Sequence, residues 1–278
     1  MASKGEMRHF GPASAGDSLS TPASVRRLEQ VAVPWQVGPY FSTAVDDPVM
    51  LGTYAQQVGR EVASEEHQLL ARLGTDRGCE LCADAQGVVR AVMLDYDEPT
   101  RYVNASVEGF AQSLLVLDEA LRIIVSTDRP QAAAEAFADA ERRLREVDSS
   151  AFAGRENWWP LVLDDIRDTA GTERYAAFEY VGADGEPQIV TQPGGISLHP
   201  EERLWSVLSG SGVEPEQVVK VHTELEACFM PGHYCSLWLA QMFPEAQLTH
   251  NFPYGESAES RAEGIRLLQE AAAQPPQH

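Results

Sequence analysis

The sequence predicts two consecutive domains of mixed α/β character: an α+β domain, then one in which helices and strands succeed each other singly. Three observations predict this. A length of 278 residues suits two modest domains better than one. The hydrophobic period changes from helical to alternating after Leu73, and beyond residue 170 short apolar-alternating runs are separated by helical ones.

Residues 1–20 are rich in Ser, Ala and Gly and read as a disordered tail. A helix is expected over 22–33, with Thr21 as its cap and Pro22 in the first helical position. Between Met50 and Leu73 the spacing suggests one or two further helical turns. Residues 79–84 and 88–95 then read as strands around Ala85-Gln86-Gly87. A short strand follows at 101–103, and a helix over 107–121 closes the domain. This is an α+β domain over 21–130 with a small antiparallel meander. Residues 130–147 form an Ala-rich amphipathic helix with Phe137, Ala140 and Leu144 on one side. Residues 131–171 are read as a helical connector, with the boundary between about 148 and 171, where Trp158 and Trp159 are expected at the seam.

The second domain, 172–278, is preceded by a helix over 160–169. It continues with strands at 175–181 and 187–191 joined by Gly182-Ala183-Asp184-Gly185, a helix over 199–208 and a strand over 218–226. A helix over 232–243, a strand over 247–252 and a last helix over 258–273 complete it.

Composition excludes several roles. No apolar run is long enough for a membrane span, and the N-terminus lacks the charged-then-apolar order of a signal peptide, so a cytoplasmic protein is expected. Four cysteines in a chain of this length point to ligands or buried small side chains rather than a disulfide framework. The net charge is −21, and from residue 170 onward five Arg or Lys face fifteen Asp or Glu. Polynucleotide binding draws on cationic contacts to phosphate, which this half lacks, so a small-molecule substrate is expected instead of a nucleic acid.

The chemistry is concentrated in one ordered set: His199-Pro200-Glu201, then Cys228 after twenty-six residues and Cys235 after six more. A hydrolytic zinc site takes three protein ligands and leaves one position for water, whose pKa falls to about 7. His199, Cys228 and Cys235 are the candidate ligands of Zn²⁺. Glu201, in the first turn of a helix, is the candidate proton shuttle. A helix start at 232 would also favour the thiolate of Cys235. A second His-x-Glu stands at His222-Thr223-Glu224, on a strand. At about 3.3 Å per residue a continuing strand puts His222 roughly 20 Å from Cys228, so only a sharp reversal after Glu224 brings it into play. Cys79-Glu80-Leu81-Cys82 is a weaker motif, since strand positions three apart point to opposite faces. His233 lies between the ligand cysteines and, with Asn251 and Tyr254 after the last strand, is a candidate substrate contact.

Two resemblances follow from these residues. The segment CELCADAQGVVRAVMLDYDEPTRYVNASVEGF, residues 79–110, resembles the SUKH superfamily of immunity and interaction proteins over roughly residues 20–125, which implies a protein partner and no catalytic residue there. The His199-Pro200-Glu201 and Cys228–Cys235 motifs resemble those of the nucleic acid and nucleotide deaminase superfamily. That resemblance implies a cytidine-deaminase-like three-layer α/β/α sandwich, zinc, and hydrolytic deamination of a cytosine- or adenine-type base. The fusion resembles an actinobacterial branch of these proteins. Two departures stand out: Ala227 replaces the usual proline before the first cysteine, and six residues separate the cysteines where two to four are usual. Two rivals remain at this point, a non-catalytic immunity or interaction protein with a structural zinc, and a nucleic-acid deaminase of toxin type.

Overall fold

The computed structural model describes residues 7–10, 22–29, 31–45, 49–97 and 100–274, which divide into two compact units, 1–162 and 163–278. Most of the expected tail, together with Thr21, lies outside the described residues. Within the tail, β1 (Met7–His9) pairs antiparallel with β2 (Ala32–Pro34), on the far side of α1 (Ala23–Leu28). The helix expected over 22–33 therefore ends early. Val31 and Val33 are β-branched and buried, and Val33 precedes Pro34, a combination that favours extended backbone.

The first unit is built on a six-stranded antiparallel meander. Its strands run in sequence order: β3 (Gln36–Val37), β4 (Phe41–Thr43), β5 (Ala71–Thr75), β6 (Cys79–Ala83), β7 (Val89–Met93) and β8 (Arg101–Asn104). Helices α2 (Leu51–Gln57) and α3 (Glu65–Gln68) fill the β4–β5 connection, as the helical spacing there implied. The sheet is twice as wide as expected. β3 and β4 are too short to display alternation, and β5 is buried along four of its five residues, which erases the two-residue period.

Helix α4 (Val107–Ser126) begins at Ser106, whose hydroxyl accepts from Gly109 N–H at 3.0 Å. Helix α5 (Pro130–Val147) has the expected bounds but packs along α4, burying Ala140 and Leu144 and pairing Arg143 with Glu119 at 2.9 Å. It belongs to the first unit. Trp158 and Trp159 are also core residues of that unit. Their indoles donate to Asp76 at 2.7 Å and Asn104 at 2.8 Å, and Trp158 stands edge-on to Phe110. The division between units falls within α6 (Trp158–Ala170).

The second unit holds a four-stranded sheet in the order β10-β9-β11-β12: β9 (Tyr175–Val181), β10 (Pro187–Pro193), β11 (Val218–Leu225) and β12 (Gln247–Phe252). β9 lies antiparallel to both neighbours, whereas β11 and β12 are parallel. Helix α7 (Pro200–Gly210) follows β10, α8 (Cys235–Met242) makes the β11–β12 crossover, and α9 (Ala258–Ala272) is the last described element. In β11 the alternation slips at a bulge between Val218 and Lys220, which leaves Val219 exposed and Val218 buried. No helix among the described residues is long and apolar enough to cross a membrane.

One close approach ties α9 to the end of β12. A Cβ placed on Gly264 would stand 1.8 Å from the carbonyl oxygen of Pro253. Gly264→Ala is therefore expected to destabilise the second unit by about 1–3 kcal/mol, the usual range for overpacking. Urea unfolding followed by tryptophan fluorescence checks this, and an unchanged midpoint would contradict the packing.

Candidate metal centre and active site

The site lies at the carboxyl end of β11, where open α/β sheets commonly place their ligands. Its first side chain is fixed by a helix start. His199 is the residue before α7, with Pro200 in the first helical position, where its missing N–H leaves no bond unmade. Glu202 reaches back so that its Oε2 accepts from His199 N–H at 3.4 Å, and the ring is held against the interior.

Cys228 and Cys235 are brought together by the loop between them. Gly232 takes φ +83° and Tyr234 φ +46°, and Ser236 N–H then donates to the Cys228 carbonyl at 3.0 Å. The six-residue spacing is thereby folded into a closed turn. Because of those left-handed residues α8 starts at Cys235, not at 232 as expected, and the Cys235 thiol sits at the positive end of the helix.

His199 Nδ1 lies 3.3 Å from Cys235 Sγ and 3.5 Å from Cys228 Sγ, and the three donor atoms fall within 4.8 Å of one another. Zinc–nitrogen and zinc–sulfur bond lengths at a tetrahedral angle imply an N···S edge of about 3.6 Å. The donor set therefore fits a zinc ion in size and in chemistry. His222 does not join it: its Nδ1 is bonded to Thr249 Oγ1 at 3.0 Å on the sheet, and no reversal follows Glu224.

Behind His199 stands a buried polar network. His199 Nε2 pairs with Asp165 Oδ1 at 2.8 Å, which leaves Nδ1 facing the thiols. Asp165 Oδ2 pairs with His233 Nε2 at 3.2 Å, and His233 Nδ1 with Glu202 Oε2 at 2.8 Å. The rings of His199 and His233 stack at 3.9 Å and 6°. Burial alone would push the Asp165 carboxyl up, but the charges and hydrogen bonds of His233 and His199 outweigh it and hold it well below the usual range. Burial likewise opposes ionisation of Cys228, yet the hydrogen bond from Cys235 and the nearby His199 lower it well below the usual thiol value. Cys235 is pushed well up, first by burial and then by Cys228.

Glu201 is buried beside this set. Its Oε1 lies 3.9 Å from His199 Nδ1, and its carboxylate makes no hydrogen bond among the described residues. Glu201 lines a cavity of about 20 Å³ with His199, Cys228, Arg174, Thr223 and Tyr254, room for about one water-sized group. Tyr254, on the cavity wall, is 1% exposed and donates to Asp168 Oδ2 at 2.6 Å. His233 is 2% exposed and stacks behind His199, not on the cavity wall. Asn251 is exposed on β12 and does not line the cavity.

Sequence reasoning missed Asp165, Glu202 and Arg174. Asp165 carried a usable signal, since it shares a helix face with Leu161, Val162 and Ile166, all buried, and an acid in such a stripe needs a partner.

Residues 7–165 match the family model described as SUKH-4 immunity protein, and residues 171–271 match that described as Xanthomonas-like deaminase. No curated protein and no solved structure matches the chain.

Proposed function

The chain belongs to the SUKH-4 immunity protein family and carries a deaminase domain behind it, and from that premise we propose a zinc-dependent aminohydrolase acting on a small amino-substituted base or nucleoside. The observation that carries this is the convergence of His199, Cys228 and Cys235 beside an unengaged, buried Glu201. On this reading the second unit has the three-layer arrangement of a cytidine-deaminase-like fold, and the four free cysteines suit a reducing cytoplasm.

Bound by His199, Cys228 and Cys235, zinc supplies the Lewis acidity that makes hydroxide available at neutral pH. The remaining work falls to the chain. The net reaction exchanges the amine of an amidine carbon for a carbonyl oxygen, consuming water and releasing ammonia. Glu201 takes a proton from the water and delivers it to the ring nitrogen, then takes the proton of the new hydroxyl as it becomes the carbonyl and passes it to the departing amine. Asp165 fixes the His199 tautomer so that Nδ1 faces the thiols, and His233 and Glu202 hold Asp165 in turn.

The acidic balance of this half, five cations against fifteen acids, supports a small substrate over a phosphate backbone. A second reading rests on the narrowness of the cavity, whose enclosed space is about that of one water molecule. On that reading zinc is structural and the chain acts by binding a protein through its SUKH-4 unit.

Removing the metal tests the proposal. Chelation is expected to abolish ammonia release and added zinc to restore it, whereas activity indifferent to chelation would refute zinc dependence. Asp165→Asn is expected to weaken zinc binding by about 10–100-fold, the usual cost of losing such a support. Competition against a chromogenic chelator measures it, and an unchanged affinity would remove Asp165 from the account.

A further inference from the structure

Arg174 directly precedes β9, is 7% exposed, and lines the cavity beside His199, Glu201 and Cys228. Its carbonyl accepts from Gly194 N–H at 2.9 Å, but its guanidinium makes no hydrogen bond and no ion pair with any described residue. A cation so nearly buried needs its donors filled by water or by a ligand.

Four neighbouring acids bond elsewhere, and Glu201 makes no hydrogen bond among the described residues. Asp168 accepts from Tyr254 OH at 2.6 Å, and Asp165 is shared by the two histidines. Glu224 accepts from Tyr175 N–H at 2.8 Å and Glu226 from Tyr254 N–H at 3.1 Å. Asp165, Glu201 and Asp168 favour the cation through space without hydrogen-bonding to it. Arg174 also lines a second cavity of about 190 Å³ with Gly171, Gly194 and Leu198, so it is a wall common to both spaces.

Taking the deaminase reading as its basis, we propose that Arg174 is a specificity-determining residue, gripping an acceptor oxygen that lies in the plane of the substrate ring. A guanidinium presents its donors in a planar fork, which matches in-plane acceptors. The oxygen is neutral, because Glu201, Glu224 and Glu226 line the same cavity and would repel a phosphate or carboxylate. Oxo-substituted amino heterocycles are therefore accepted, and counterparts lacking the oxygen are rejected.

The test measures binding to zinc-loaded, full-length Glu201→Gln protein by calorimetry, with two matched pairs of probes: cytosine against 4-aminopyrimidine, and isoguanine against adenine. At least one oxo compound is expected to bind about 10–100-fold more tightly than its partner, the range for a hydrogen bond to a charged group. Adding Arg174→Gln should erase that difference at unchanged zinc content, and Arg174→Lys should retain part of it. Equal binding within both pairs, binding of no probe, or a preference that survives Arg174→Gln would each overturn the proposal. If the preference follows Arg174 while the wild-type protein releases no ammonia from the bound compound, the deaminase reading fails and the role of Arg174 stands.

Discussion

Replacing Cys228 with alanine is expected to lower bound zinc from about one per chain to near none, and to lower the melting temperature of the second unit with it. The reason is geometric. His199 Nδ1 sits 3.5 Å from Cys228 and 3.3 Å from Cys235, so removing either thiol leaves two donors on an ion that takes three or four. The remaining buried groups, whose protonation is set by one another, would also lose a partner. His199→Ala should behave alike. His222→Ala should keep its zinc, since His222 faces Thr249 on the sheet. Metal analysis of purified variants decides the matter. Full zinc in His199→Ala beside loss in His222→Ala would show that the other His-x-Glu is the ligand motif.

Glu201→Gln is expected to cut turnover by about 10²–10⁴-fold while zinc content and unfolding midpoint stay at the wild-type level. The amide is nearly isosteric and cannot carry a proton. Glu201 is not one of the three converging donors, so its loss leaves the metal held. Its carboxylate is buried, faces the cavity and has no hydrogen-bond partner among the described residues, which suits a group that must gain and lose a proton in each cycle. Steady-state kinetics beside metal analysis check this. Turnover at the wild-type rate would remove Glu201 from the chemistry, and loss of zinc in the variant would make it a ligand.

Much of the second unit was legible in the sequence, because β9 and β11 alternate between buried and more exposed residues. β9 and β12 fall on the expected residues, and β11 ends one residue short of its expected end. The helix start after His199 is marked by Pro200, whereas the start at Cys235 lies three residues beyond the one expected at 232. The first unit was less legible. β3 and β4 span two and three residues, and β5 is buried on both faces, so no period survives to be read. Within the site, the candidate ligands followed from residue type and order, but the residues behind them did not. Asp165 lies thirty-four positions from His199 and sixty-eight from His233, and only the folded unit brings the three together. His233 was visible as a loop residue, yet nothing in the spacing gives the direction of a ring that the turn at Gly232 tucks behind His199. Nothing in the spacing singles out Arg174, and that its guanidinium hydrogen-bonds to none of the acids around it is visible only in the folded unit.

The most direct test of the central claim is ammonia release by the zinc-loaded, full-length protein across nucleobases, nucleosides, nucleotides and single-stranded DNA and RNA at moderate ionic strength. The account predicts turnover of at least one small amino-substituted base or nucleoside, with oligonucleotides poor substrates because the chain from residue 170 onward offers few cations to hold them. Robust turnover of oligonucleotides with none on any small base would contradict it, as would no ammonia from any substrate at one zinc per chain.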